Sequence, residues 1–101
     1  MVGLVYRMRQ VIERQGEVFQ AGGSDHVGVF GIVSAGVAKR YAPSAAVDGA
    51  TRPLWMIVVR DDDTTAETDT ILWNGLALAV LAIVGRRVRG TTVCKVILAH
   101  S

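Results

Sequence analysis

Two residues, Asn74 and Gly75, lie between the strand-like runs Thr70-Ile71-Leu72-Trp73 and Leu76-Ala77-Leu78-Ala79-Val80. Asn-Gly is the pair that a two-residue type I′ turn prefers, because both central positions need positive φ. This short stretch therefore commits the chain to an antiparallel hairpin. Composition alone would also allow the Leu/Ala run 76–84 to be a helix. The preceding Asn-Gly and the Val and Ile at the end of the run favour a strand, continuing to Val84.

The rest of the pattern supports a β-rich fold. Leu54 to Arg60 (LWMIVVR) is an apolar run with little alternation, the mark of a strand covered on both faces. Thr91 to Ala99 sets Val93, Lys95, Ile97 and Ala99 against Cys94, Val96 and Leu98 at period two. Residues 17–21 (EVFQA) form a short strand candidate, and Gly22-Gly23-Ser24-Asp25 a turn. Residues 26–34 (HVGVFGIVS) read as a strand loosened by Gly28 and Gly31. Ahead of these, Leu4, Val5, Met8, Val11, Ile12 and Gln15 fall on one face of a helix over residues 2–15, stopped at Gly16. Residues 35–53 lack periodicity and read as a long loop, a segment type that is functional or disordered when it occurs in a compact domain. Residues 61–69 and 85–90 read as an acidic and a basic connection. The sum is a single domain over 1–101, mainly β: a small antiparallel β-barrel or sandwich of about six strands with one short N-terminal α-helix.

Half of the 101 residues are hydrophobic and only 6% are aromatic, with a mean hydropathy of +0.36. That is enough apolar surface to offset the entropy of ordering, which argues against disorder. It is also more than a core this small hides, which points to an assembly partner. The longest apolar run, Leu76 to Gly85, is about ten residues, far below the ~20 a membrane helix needs, and no signal-peptide pattern opens the chain. A cytoplasmic protein without a membrane contact is expected.

The net charge of +2 is too small to announce a nucleic-acid binder, but the charges are segregated. Asp61, Asp62, Asp63, Glu67 and Asp69 hold five of the nine acids; Arg86, Arg87, Arg89 and Lys95 form a basic counterpart, and Arg7, Arg9 and Arg14 another. Such segregation marks a solvated face or complementary contacts between subunits, with Asp61, Asp62, Asp63, Glu67, Arg86, Arg87 and Arg89 as the candidates for the latter.

Catalytic patterns are missing from the sequence. Ser24, Asp25 and His26 are adjacent, whereas a triad needs groups converging from separate elements; His26 reads as a turn residue and the penultimate His100 as a frayed end. Asp61, Asp63, Thr65, Glu67 and Asp69 occupy alternate positions of an EF-hand-like loop, but Ala66 stands where the turn needs glycine and Leu72 where a bidentate glutamate is required. Gly28-x-x-Gly31 lies inside a strand and cradles no phosphate. The lone Cys94 permits no intramolecular disulfide and reads as a buried, inert thiol; Trp55 and Trp73 read as core or interface anchors. No enzyme, metal or cofactor is expected.

The order of elements resembles the small head–tail joining, or stopper, proteins of tailed bacteriophages. The residues that carry this are Pro53-Leu54-Trp55-Met56-Ile57-Val58-Val59, then Asp69-Thr70-Ile71-Leu72-Trp73-Asn74-Gly75 leading to Val80, then Thr92-Val93-Cys94-Lys95-Val96-Ile97-Leu98. The resemblance spans residues 17–99. It departs where relatives carry an aromatic after the hairpin glycine and this chain has Leu76-Ala77-Leu78-Ala79. The resemblance implies a barrel protomer that assembles into a ring beneath the portal, joins head to tail in the virion neck and helps retain the packaged genome. Its partners would be copies of itself and the portal, adaptor and tail proteins, with assembly in the bacterial host cytoplasm. The loop 35–53 would face the channel or a neighbour, with Lys39, Arg40, Tyr41 and Arg52 as contacts to a subunit or, non-specifically, to DNA. Alternatives are another small neck or tail protein, such as a tail terminator or tail-completion factor, and a barrel-type nucleic-acid-binding module using Arg86, Arg87 and Arg89. A single copy offers too few phosphate contacts for measurable DNA binding at moderate salt.

Overall fold

The computed structural model describes residues 2–101; Met1 lies outside them. Helix α1 (Val2–Gln15) is followed by strands β1 (Glu17–Ala21) and β2 (Ser24–Val33), short helices α2 (Ala35–Ala38) and α3 (Ser44–Gly49), and strands β3 (Leu54–Arg60), β4 (Thr70–Trp73), β5 (Leu76–Val88) and β6 (Thr91–His100). The six strands close into an antiparallel barrel in the order β1-β2-β3-β6-β5-β4. The fold is the mainly β barrel with a short N-terminal helix that the patterning predicts. The expected hairpin is present, with Thr70 to Trp73 paired against Ala79 to Leu76 and positive φ at Asn74 (51°) and Gly75 (77°).

Closure depends on one strand that bends. β5 pairs with β4 at one end and with β6 along most of its length, and two irregularities in its register, at Val80/Ala82 and Arg86/Arg87, let it curve round the barrel. The final seam is thin: β1 meets β4 through the single register pair Gln20↔Leu72. Inside, Phe19, Ala21, Ile57, Val59, Ile71, Leu78, Ile97 and Ala99 form the core, with Phe30, Trp55, Trp73, Val80 and Ile83 packed on it. An aromatic chain threads the barrel: Trp55 meets Trp73 edge-on, Trp73 stacks on Phe30 at 4.0 Å, Phe30 meets Phe19, and Phe19 stacks on His26 at 5.3 Å. Gly28 leaves the space this chain needs. A Cβ there would lie 2.6 Å from Ile57 Cγ2 and 3.1 Å from both Phe19 and Val59, so Gly28→Ala is expected to destabilise the fold by about 1–3 kcal/mol in chemical denaturation.

β6 is buried on both faces because helices cover its outer side. Ile12 of α1, with Val5 and Met8, packs on Val93, Cys94, Val27 and Val58. The buried stripe of α1 is narrower than its pattern suggests, since Leu4 and Val11 are exposed. The segment 35–53 is not a structureless loop. Ser34 caps α2 through its hydroxyl, and Ala38, Ala42 and Val47 are buried against Leu54 and Leu98. Helices of four and six residues are too short to show a period, and burial of small side chains on the sheet holds them. Three further expectations are corrected. His26 lies in β2 with its ring buried, because the β1–β2 turn is only Gly22-Gly23. His100 is a strand residue paired with Leu54 and Ala79 rather than a frayed end. The basic connection 85–90 shrinks to Arg89-Gly90, because β5 runs on to Val88.

Candidate functional site

The segregated charges divide into a neutralised set and an open one. Asp61 accepts two hydrogen bonds from the Arg9 guanidinium, at 2.7 and 3.0 Å, which hold its carboxyl below the usual carboxylate range. Asp62 accepts two from Arg60 at 3.0 and 2.9 Å, and Arg60 also pairs with Glu13. These acids spend their charge tying α1 and the end of β3 to the β3–β4 connection. Glu67 is exposed, and Asp69 accepts from the Ala66 N–H at 2.8 Å.

Asp63 turns inward and builds the barrel floor. Its carboxylate meets His26 Nδ1 at 2.9 Å and accepts the Thr65 N–H at 2.8 Å; Thr65 Oγ1 lies 3.4 Å from the same ring nitrogen. His26 Nε2 lies 3.1 Å from the Ala21 carbonyl oxygen, and Lys95 Nζ donates to the Asp63 carbonyl at 2.8 Å. The His26 and Asp63 side chains are only 7% and 8% exposed. Burial pushes the Asp63 carboxyl up, but the Thr65 and His26 contacts outweigh it and leave it below its ordinary value. Sequence reading misses this network: His26 and Asp63 are 37 residues apart, and only the register that puts His26 on the inner face brings them together. Beside the floor, Glu13, Asp25, His26, Arg60 and Asp62 line an open cavity of about 350 Å³. Among the described residues, no group of three His, Cys, Asp or Glu side chains converges as a metal site, and no helix is long and apolar enough to cross a membrane.

The open charge is basic. β3 pairing reaches its limit at Arg60↔Cys94, while β5 and β6 continue together through Arg87↔Thr92 and Val88↔Thr91. The tip of this hairpin therefore projects past the third strand as a two-stranded ribbon, exposed from Gly85 to Gly90. Arg86 donates to the Tyr41 hydroxyl at 3.3 Å and lies 6.0 Å from the centre of its ring, so the 35–53 segment and the hairpin meet here. Among the described residues, Arg40, Arg87 and Arg89 form no ion pair, whereas Lys39 pairs with Asp48 at 3.0 Å and Arg52 donates to the Val47 carbonyl. Of the four candidates in segment 35–53, Tyr41 thus meets this basic surface, Arg40 is exposed, and Lys39 and Arg52 are used within the segment. Cys94, beneath Ile12, is buried, and desolvation pushes its thiol up, as expected of an unreactive cysteine.

The turn at the tip is unusual in its chemistry. Arg89 holds φ 50° and Gly90 φ 80°, the same left-handed pair that Asn74-Gly75 adopts at the other end of β5. Asn tolerates that region; a long side chain such as Arg costs about 1 kcal/mol or more there. No protein family, curated protein or solved structure matches this chain.

Proposed function

We propose that this chain is a ring-forming structural protein of the tailed-phage neck. It would act as a head–tail connector or stopper that joins the portal vertex to the tail and helps retain packaged DNA. The observation that carries this reading is the bare side of the barrel. The outward positions of β1, β4 and the first half of β5 are Val18, Gln20, Thr70, Leu72, Ala77 and Ala79; all are exposed, none is charged, and neither α1 nor the α2–α3 segment covers them. Val18 is 61% and Leu72 50% exposed. An uncharged face of this kind suits a protomer that buries it against the next copy. The resemblance of residues 17–99 to head–tail joining proteins supplies the ring and its place in the virion. The partners are further copies of the chain and the portal, adaptor and tail proteins, assembled in the host cytoplasm.

Antibody raised against the chain should label the neck of particles made by its source phage. Label elsewhere on the virion, or on none of it, discards the reading. Leu72→Glu places a charge in the centre of the bare face. It is expected to abolish incorporation into particles while moving stability by no more than about 0.5 kcal/mol, as an exposed position should. Normal incorporation of that variant would remove the bare face from the argument.

The projecting basic hairpin favours a second reading, a barrel-type nucleic-acid-binding module. That module would bind a DNA duplex as a single copy at moderate salt, where the connector protomer would not.

A further inference from the structure

We infer that the β5–β6 tip is a binding site for the phosphate backbone of double-stranded nucleic acid, with Arg89 its leading contact. The role of this site in the neck rests on the connector reading, but its chemistry does not, and the two are tested apart.

Three observations lead to it. First, the tip carries Arg86, Arg87 and Arg89 with Thr91 and Thr92, and no acid. The clustered acids Asp61, Asp62 and Asp63 contact Arg9, Arg60 and His26, and among the described residues no acid makes an ion pair with the tip arginines. All three cations are arginine, whose planar fork matches phosphate oxygens, and the threonine hydroxyls add neutral donors. Second, Arg89 occupies a left-handed turn position that the same chain fills with Gly22 at the β1–β2 hairpin and with Asn74 at the β4–β5 hairpin. A strained residue where an unstrained one would serve the fold marks a position held for function. What arginine adds over asparagine there is a positive charge at the outermost point of the ribbon. Third, Tyr41, the aromatic ring at this surface, is engaged by Arg86. The tip itself, residues 85–92, carries no aromatic side chain to stack on bases, so it suits a backbone and not an unpaired strand. A two-stranded ribbon is also of a width that a duplex groove admits.

The test is binding of the purified chain to a labelled 30-base-pair duplex of arbitrary sequence, read by fluorescence anisotropy from about 20 to 150 mM salt. Binding is expected at low salt, lost toward 150 mM, with a log–log slope steeper than about −2. Arg89→Asn should weaken low-salt binding roughly tenfold and make the slope shallower by about 1. The same variant should melt about 4–8 °C higher, because Asn relieves about 1 kcal/mol of strain in the turn. Arg89→Lys should keep both the slope and the melting temperature of the parent. A purely structural Arg89 would not separate affinity from stability in this way. The inference is overturned if the duplex is not bound at low salt, if Arg89→Asn leaves affinity and slope unchanged, or if vesicles of phosphatidylglycerol are bound and the duplex is not. Duplex binding without neck labelling keeps the site and discards the connector; neck labelling without duplex binding does the reverse.

Discussion

Phe19→Ala should lower the free energy of unfolding by about 3–5 kcal/mol, the range for emptying a fully buried phenylalanine site. Phe19 is 1% exposed and sits in the aromatic chain between Phe30 and the His26 ring. The cavity would open in a barrel that has little slack to close it, since Ile57 and Val59 around it are held by strand pairing on both sides and Leu78 by its pairing with Ile71. β1 is only five residues long and reaches β4 through one register pair, so Phe19 is also its main anchor at the closing seam. A domain with a typical stability of about 5–15 kcal/mol would lose a large share of it. Val18→Ala is the matched control, one residue away but facing outward at 61% exposure, and should change stability by less than about 0.5 kcal/mol. Denaturant midpoints at constant m-value give both numbers. A loss below about 1 kcal/mol for Phe19→Ala would show that the interior does not depend on this chain of rings.

What could be read in the sequence was what neighbours in the chain decide for one another. Asn74-Gly75 declares its turn because positive φ is a property of those two residues. β6 declares itself by period two, and β3 by an apolar run that turns out to be covered by core on one side and helices on the other. The 35–53 helices are decided elsewhere. Ala38 and Val47 are buried by Leu54 and Leu98, and no local pattern in an Ala- and Gly-rich stretch announces that contact. The floor is illegible for the same reason, because His26 meets Asp63 only once β2 has paired and the β3–β4 connection has folded under the barrel. The basic hairpin lies between these cases. Its arginines are conspicuous, but Arg89-Gly90 does not read as a turn because arginine is a poor occupant of a left-handed position. Gly90 alone marks the turn, and β5 extends to Val88 through an irregularity that breaks the alternation. The acidic stretch shows the converse. Its charge pattern suggests a solvated face or subunit contacts, and within the protomer Asp61 and Asp62 are paired with Arg9 and Arg60, which α1 and the end of β3 bring to them.

Removing the floor carboxylate should cost about 3 kcal/mol at neutral pH, with a characteristic acid dependence. Asp63→Ala leaves His26 Nδ1 and the Thr65 N–H without their acceptor in a region where water has little access. It also removes what fixes the β3–β4 connection under the barrel, so Lys95 loses a well-placed carbonyl. The folded-state carboxyl of Asp63 lies below its ordinary value, and so does that of Asp61 beside Arg9. An acid depressed by folding contributes stability that is fully present above the unfolded carboxylate range, near pH 4, and is lost as pH falls through the folded value. The parent should therefore hold its stability from neutral pH to about pH 5 and lose it steadily below about pH 4. Asp63→Asn preserves shape and removes the titration. Its deficit against the parent should be largest near pH 5 and shrink toward pH 2, where the parent carboxyl is itself protonated. His26→Phe, which retains the stack on Phe19, tests the partner: combined with Asp63→Ala, it should cost less than the sum of the two single changes by about 1–3 kcal/mol, the coupling of groups in direct contact. Additive losses, or an Asp63→Asn deficit that stays constant from pH 5 to pH 2, would mean that the carboxylate does not hold the floor and that the barrel is closed at that end by packing alone.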